Sequence, residues 1–382
     1  MALAGLLRDS LEVSVSVTLS NVAGLLNAFL VGAYSWLLLG NPEALALLPI
    51  LASVRGGIGL SVASRVSTML YLGVLEPSFS GVLRFGASRY LALFLASSLA
   101  ASLLVWAVAP WLDLGFLVLV SVGSGFLVAV LVLAASSLVS TASYRAGLDP
   151  DNVSAPVVTS IADVLTVASV IALTSLASSL APDYMLVASA FLAYLALSYF
   201  LARLVYGGGG RGAAFQVMAS LLAVSLLEAY AGRLLVEYGG ELDSVGLLAF
   251  VPPFLFISGS ISSSAAARLS TTLHLYGAGA LWAEAARRAL SSVASLPLPL
   301  SITALATLLL SLDRVEPLAY LTVAFASSLL LTLFGVAVAA LVTFASARAG
   351  ADPDNVSIPL IMSIVDLAGI AFLAATASII VG

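Results

Sequence analysis

The sequence predicts an all-α polytopic membrane protein: eleven transmembrane helices, arranged as two parallel five-helix repeats joined by a linker helix. Three observations carry this reading. Of 382 residues, 62% are hydrophobic and only 9% charged, with a mean hydropathy of +1.16, far more apolar than a water-soluble chain of this size. Apolar stretches of the ~20 residues that cross a bilayer as a helix recur along the whole length. Finally, residues 145–163, RAGLDPDNVSAPVVTSIAD, return at 348–366 as RAGADPDNVSIPLIMSIVD, a constant offset of 203 with 13 of 19 positions identical.

The first repeat, 1–182, holds spans near 13–39, 44–70, 88–110, 114–141 and 155–180. The second, 212–382, holds spans near 213–236, 245–270, 289–312, 318–344 and 357–381. The opening segment is longer than a signal-peptide core and lacks a small-residue cleavage pattern, so it reads as a membrane helix. Between the repeats, 183–211 contains an unpaired span near 184–204 and four glycines at 207–210, a flexible joint. Five crossings invert the chain and a sixth restores it. The repeats are therefore expected to be parallel, related by a pseudo-twofold axis along the membrane normal.

Charge supports the count and orients it. Arg8, Arg65, Arg84, Arg89, Arg145, Arg203, Arg211, Arg268, Arg287, Arg288 and Arg348 all fall on one side of an eleven-span chain, whereas the other side has Arg314 with the acids Glu43, Asp113, Asp183, Glu237, Glu241, Asp243, Asp313 and Glu316. The arginine-rich side is cytoplasmic, which predicts a cell-membrane protein with the N-terminus in the cytoplasm and residue 382 outside. The sequence has no cysteine, which excludes disulfides and thiolate chemistry, and a single histidine, His274, too few for a histidine-rich metal site.

The duplicated motif divides into two parts. Gly, Asp-Pro and Asp-Asn at its start favour a turn and a helix cap, which is the structural role expected for Asn152 and Asn355, with an acidic ion mouth as the functional alternative. Asp163 and Asp366 differ: Asp163 lies seven residues beyond Pro156, about 10 Å into the helix. An acid at that depth is a functional-site candidate. Thr159 and Ser160 share the face of Asp163, and Ser363 shares that of Asp366, with Met362 in place of the threonine. Under parallel symmetry the two carboxylates can meet across the axis, where they would repel unless a cation sat with them. Mg²⁺ fits, since it takes oxygen ligands, is held by one or two carboxylates and keeps several waters that these hydroxyls could receive. The bland reading is two acids that lock helices together by hydrogen bonds.

The second helix of each repeat matches itself, PILASVRGGIGLSVASRVST at 49–68 and PPFLFISGSISSSAAARLST at 252–271. Gly56 and Gly259 in its middle suggest either a weakened helix whose carbonyls line a path or close helix packing. Glu228 is a further acid within a span, without an acidic twin, and Arg233 about one turn on could neutralise it.

With both motifs in hand, the chain resembles the membrane domain of MgtE magnesium channels, and more closely its duplicated eukaryotic solute-carrier relatives. The resemblance rests on DPDNVSAP with Asp163, DPDNVSIP with Asp366, and the SRVST and ARLST endings of the second helices. It implies a Mg²⁺ pathway between the halves, with Asp163 and Asp366 as the principal site for a largely hydrated ion. Family members commonly carry Asn after the glycine of the second helix, where this chain has Gly57 and Ser260. Mg²⁺ is thus expected as the transported ion, with no organic cofactor and no enzymatic activity. The expected partners are the lipid bilayer and a divalent cation, without nucleic acid, and the chain is expected to be monomeric because the duplication replaces a homodimer. The alternatives are a proton- or sodium-coupled carrier of an organic solute, and an intramembrane aspartyl protease. Proteases of that kind resemble one another through Gly-x-Gly-Asp, whereas the acids here stand in SIAD and SIVD.

Overall fold

The computed structural model describes residues 2–146, 150–206, 211–312, 315–348 and 353–381. Its helices in chain order are α1 Ala2–Ser20, α2 Val22–Ala33, α3 Ser35–Gly40, α4 Pro42–Tyr71, α5 Phe79–Val108, α6 Leu114–Arg145 and α7 Pro150–Ala177. They continue with α8 Pro182–Tyr206, α9 Arg211–Ser244, α10 Val251–Tyr276, α11 Ala278–Ser295, α12 Pro297–Leu309, α13 Pro317–Arg348 and α14 Pro353–Val381. Pro42, Pro150, Pro182, Pro297, Pro317 and Pro353 each open a helix, the one helical position where a missing N–H costs nothing and the fixed φ helps.

Among the described residues, seven helices are long and apolar enough to cross a membrane, rising to nine if each of two bent pairs is one span. The chain is therefore a multi-pass helical membrane protein. The other two of the eleven expected spans coincide with α9, which carries Glu228, Arg233, Glu237 and Glu241, and with α10, which carries five serines between 258 and 264. Those polar residues set both helices apart from their neighbours.

The helices pack as two units, Trp36–Val236 and Met1–Ser35 with Glu237–Gly382. The boundaries of these units differ from the repeat boundaries, because the opening helices pack with second-repeat helices and α9 as far as Val236 groups with the first repeat.

In the unit of residues 36–236, α4, α6 and α7 pack on one another, α5 covers α4 and α6, and α8 docks on α5 and α6. Val118, Val122 and Ala196 form the buried seam under α8. Two helix starts are capped by side chains: Ser78 Oγ accepts from the Gly81 N–H at 3.2 Å, and Asp113 Oδ1 from the Phe116 N–H at 2.7 Å. Glu43 accepts from the Asp113 N–H at 3.1 Å, tying the start of α4 to that of α6. Helix α4 is continuous through Pro49 and its glycines. A Cβ built on Gly59 would stand 3.6 Å from Ala162, Val158 and Val132. Gly59 thus stands at a close helix contact.

In the other unit, α10, α13 and α14 pack on one another, as α4, α6 and α7 do. Helix α11 covers α10 and α13, α1 packs on α10, α11 and α12, and α2 packs on α10 and α12. Val17, Ile257, Ile261 and Leu296 form a buried cluster there. Two spans expected as single helices are broken in this unit. The opening one bends by 45° at residue 21 and the third of the second repeat by 41° at residue 296. At the first break Asn21 Nδ2 donates to Thr303 Oγ1 at 2.9 Å, and a Cβ on Gly24 would stand 3.1 Å from Pro253 Cα. At the second, an unbroken helix would lack the Pro297 and Pro299 N–H donors and clash with the rings, so the chain restarts there as α12. Their first-repeat counterparts are Phe94 and Ala96, and α5 runs unbroken.

The contact at Gly59 has room for a methyl group and no more. Gly59→Ala should be neutral to stabilising by up to about 1 kcal/mol, since its methyl meets only van der Waals contacts and alanine is the better helix former, while Gly59→Leu should destabilise by about 1–3 kcal/mol through overpacking. Thermal unfolding of the detergent-purified variants checks both values.

Candidate functional site

Thr159 and Asp163 stand four residues apart on α7, on the face turned to α4. Gly56 lies opposite them: a Cβ built there would be 3.1 Å from Asp163 Oδ1 and 3.6 Å from Thr159 Cγ2. The carboxylate therefore lies beside bare α4 backbone, and even a methyl group at position 56 would require it to shift by a few tenths of an ångström. Asp163, Thr159 and Ser160 are half-buried, so the oxygens are sheltered without being sealed. Three of the residues singled out in the sequence, Gly56, Thr159 and Asp163, are thus brought into one place.

The second repeat repeats the register with different chemistry. Gly259 on α10 is buried, and a Cβ there would stand 4.0 Å from Met362 Cε on α14. The pair Gly259 and Met362 corresponds to Gly56 and Thr159, with a thioether where the first repeat has a hydroxyl. Asp366 is half-buried and Ser363 buried on the same helix. The side chains of Asn152 and Asn355 lie outside the described residues.

Glu228 is buried in α9, 1% exposed. One turn later Gly232 brings α9 against the start of α4, where a Cβ would stand 3.1 Å from Ala46 Cα. Arg233 does not turn to Glu228 as its spacing suggested. Its Nη1 donates to the Val108 carbonyl at 3.0 Å and its guanidinium lies 5.0 Å from the centre of the Trp111 ring. Residues five apart do not share a helix face, and here a backbone carbonyl and an aromatic face take the cation.

Sequence reasoning gave no role to Arg55, which the structure places fully buried in α4 next to Gly56. The available signal was a lone charge within an apolar span, matched by Ser258 in the other repeat.

The polar groups gathered here are hard oxygen donors: one carboxylate per repeat, with hydroxyls beside it. Among the described residues no group of three or more His, Cys, Asp or Glu side chains could enclose a metal ion. A cation at either aspartate would have to keep much of its water, and the neighbouring hydroxyls suit that role.

These features define a multi-pass helical membrane protein that carries an acid inside a duplicated helix pair. Residues 48–173 and 251–376 match the family described as MgtE, divalent cation transporter, and the chain belongs to that family. It is similar to solute carrier family 41 member 2 of Xenopus laevis, 24% identical over 366 residues, covering 87% of this chain and 64% of that protein. It is also similar to the Gallus gallus protein of the same name, 24% identical over 247 residues, covering 61% of this chain and 43% of the relative. The chain thus spans less than two thirds of the length of these curated relatives. No solved structure matches it.

The two glycines predict unequal tolerance. Gly56→Val should displace the Asp163 carboxylate and lower thermal stabilisation by divalent cations, whereas Gly259→Ala, with its nearest neighbour at 4.0 Å, should leave that stabilisation intact. A series of melting curves against Mg²⁺ concentration measures both.

Proposed function

We propose that this chain moves a divalent cation, Mg²⁺ foremost, across the cell membrane, with Asp163 and Asp366 as its principal protein ligands. The observation that carries the reading is the intramembrane carboxylate of Asp163 held against the bare backbone at Gly56. Membership of a family described as divalent cation transporters supports it. In this reading the ion arrives hydrated, exchanges few waters, and is attracted chiefly by charge. Thr159 and Ser160 in the first repeat and Ser363 in the second take hydrogen bonds from the retained waters. Gly56 and Gly259 keep the neighbouring helix thin enough for the hydrated ion. Asn152 and Asn355 begin the carboxylate-bearing helices at the cytoplasmic mouth.

The proposal includes eleven crossings, parallel repeats, a cytoplasmic N-terminus and a monomeric chain. Glu228 contributes asymmetrically, since the second repeat has no matching acid. Removing a ligand charge from a site this poor in other ligands should be severe. Asp163→Asn and Asp366→Asn should each lower Mg²⁺ flux into proteoliposomes by about tenfold or more, equivalent to ~1.4 kcal/mol per decade. Flux that survives the combined substitution would refute the assignment. Imposed Na⁺ or pH gradients in the same vesicles distinguish passive from coupled movement, and uptake driven by an organic solute would favour the carrier reading.

A further inference from the structure

Arg55 is the least expected side chain in the molecule. It lies in the interior of α4 and is fully buried. Its Nη2 donates to the Ser121 carbonyl and to Ser124 Oγ, both at 2.8 Å. Its Nε and Nη1 make no hydrogen bond, and among the described residues no carboxylate forms an ion pair with it. A guanidinium within a bilayer-spanning helix is costly and marks function by default. Being charged at every physiological pH, it acts on its surroundings as a fixed cation.

Its placement says which group it acts on. Arg55 precedes Gly56, the residue whose Cβ position lies 3.1 Å from Asp163 Oδ1. Successive residues on a helix point about 100° apart. The guanidinium accordingly reaches towards α6 while the carboxylate lies on the adjoining face of the same turn. The two charges flank one stretch of backbone, the guanidinium fully buried and the carboxylate half-buried, so water and salt screen their interaction only in part. The second repeat has no such cation: Ser258 stands at the matching position, fully buried.

We propose that Arg55 is a built-in counter-charge to Asp163, which weakens divalent-cation binding at the first repeat's aspartate and leaves Asp366 the stronger ligand. This rests on the reading of Asp163 as an ion ligand. With the site empty, the guanidinium offsets the carboxylate's charge. With a cation bound, the same guanidinium repels it, so the ion leaves more readily. A permeation site must bind well enough to fill and loosely enough to empty. One arginine introduced into a duplicated pair achieves this on one side only.

The test uses full-length protein and Mg²⁺ itself, reading apparent Kd from the rise of Tm with Mg²⁺ concentration. Arg55→Gln retains a donor for the Ser121 carbonyl and Arg55→Met retains the volume. Their Tm values without Mg²⁺ report any folding cost separately. Each neutral variant should bind Mg²⁺ about tenfold or more tightly than wild type, whereas Arg55→Lys should stay within about threefold. In an Asp163→Asn background, Arg55→Gln should give no further tightening. A structural arginine would predict weaker or unchanged binding on neutralisation, and either result overturns the proposal, as does equal tightening with and without Asp163. If Asp163→Asn loses binding while Arg55→Gln leaves it unchanged, only the counter-charge fails. If the variant carrying both Asp163→Asn and Asp366→Asn binds as wild type does, the ligand assignment fails first.

Discussion

A carboxylate inside a membrane-spanning helix is tolerable only where neighbouring backbone, water or a cation compensates for lost hydration. Asp163 is half-buried, with Oδ1 beside Gly56, where α4 presents no side chain to crowd it. Much of the first-repeat architecture follows from that contact. Helix α4 must be thin along the α7 face, which Gly56 and Gly59 provide. The helices around it must hold the pair in register, which α6 does by packing on both α4 and α7. The half-burial of Asp163 leaves part of the carboxylate uncovered by protein.

The duplication preserved this scaffold while letting its chemistry diverge. Gly259 faces Met362 in the register where Gly56 faces Thr159. Ser258 stands where the first repeat has Arg55, and Pro297 and Pro299 break a span that runs straight through Phe94 and Ala96. In a symmetric homodimer each such change would appear twice. A fused pair can alter one half, so charge, hydroxyl content and helix continuity become separately adjustable in the two repeats.

The sequence made the repeated elements legible because their causes are local. Prolines mark helix starts, apolar length marks spans, and an acid seven residues beyond Pro156 cannot be a cap. Gly56, Thr159 and Asp163 could be singled out for the same reason, since helical spacing alone places Thr159 and Asp163 on one face. What escaped depended on partners distant in the chain. The bend at Asn21 involves Thr303, 282 residues away, and nothing near Asn21 announces it. Arg233 chose the Val108 carbonyl and the Trp111 ring, which sequence distance hides, over an acid that sequence distance recommends. The grouping of the opening helices with α10, α11 and α12 likewise depends on contacts between elements distant in the chain. Prolines 297 and 299 were visible, but a proline-containing segment of sufficient apolar length still counts as a span until its neighbours reveal the bend.

The central claim is that the duplicated intramembrane aspartates hold a hydrated divalent cation. Pulsed electron paramagnetic resonance of Mn²⁺ bound to the full chain in lipid nanodiscs addresses it most directly, since the spectrum reports both occupancy and retained water. The account predicts a protein-bound Mn²⁺ that keeps most of its water, is displaced by Mg²⁺, and is lost when Asp163 and Asp366 are both replaced by Asn. Bound Mn²⁺ that persists in that double variant, or occupancy no greater than in protein-free nanodiscs, would contradict it.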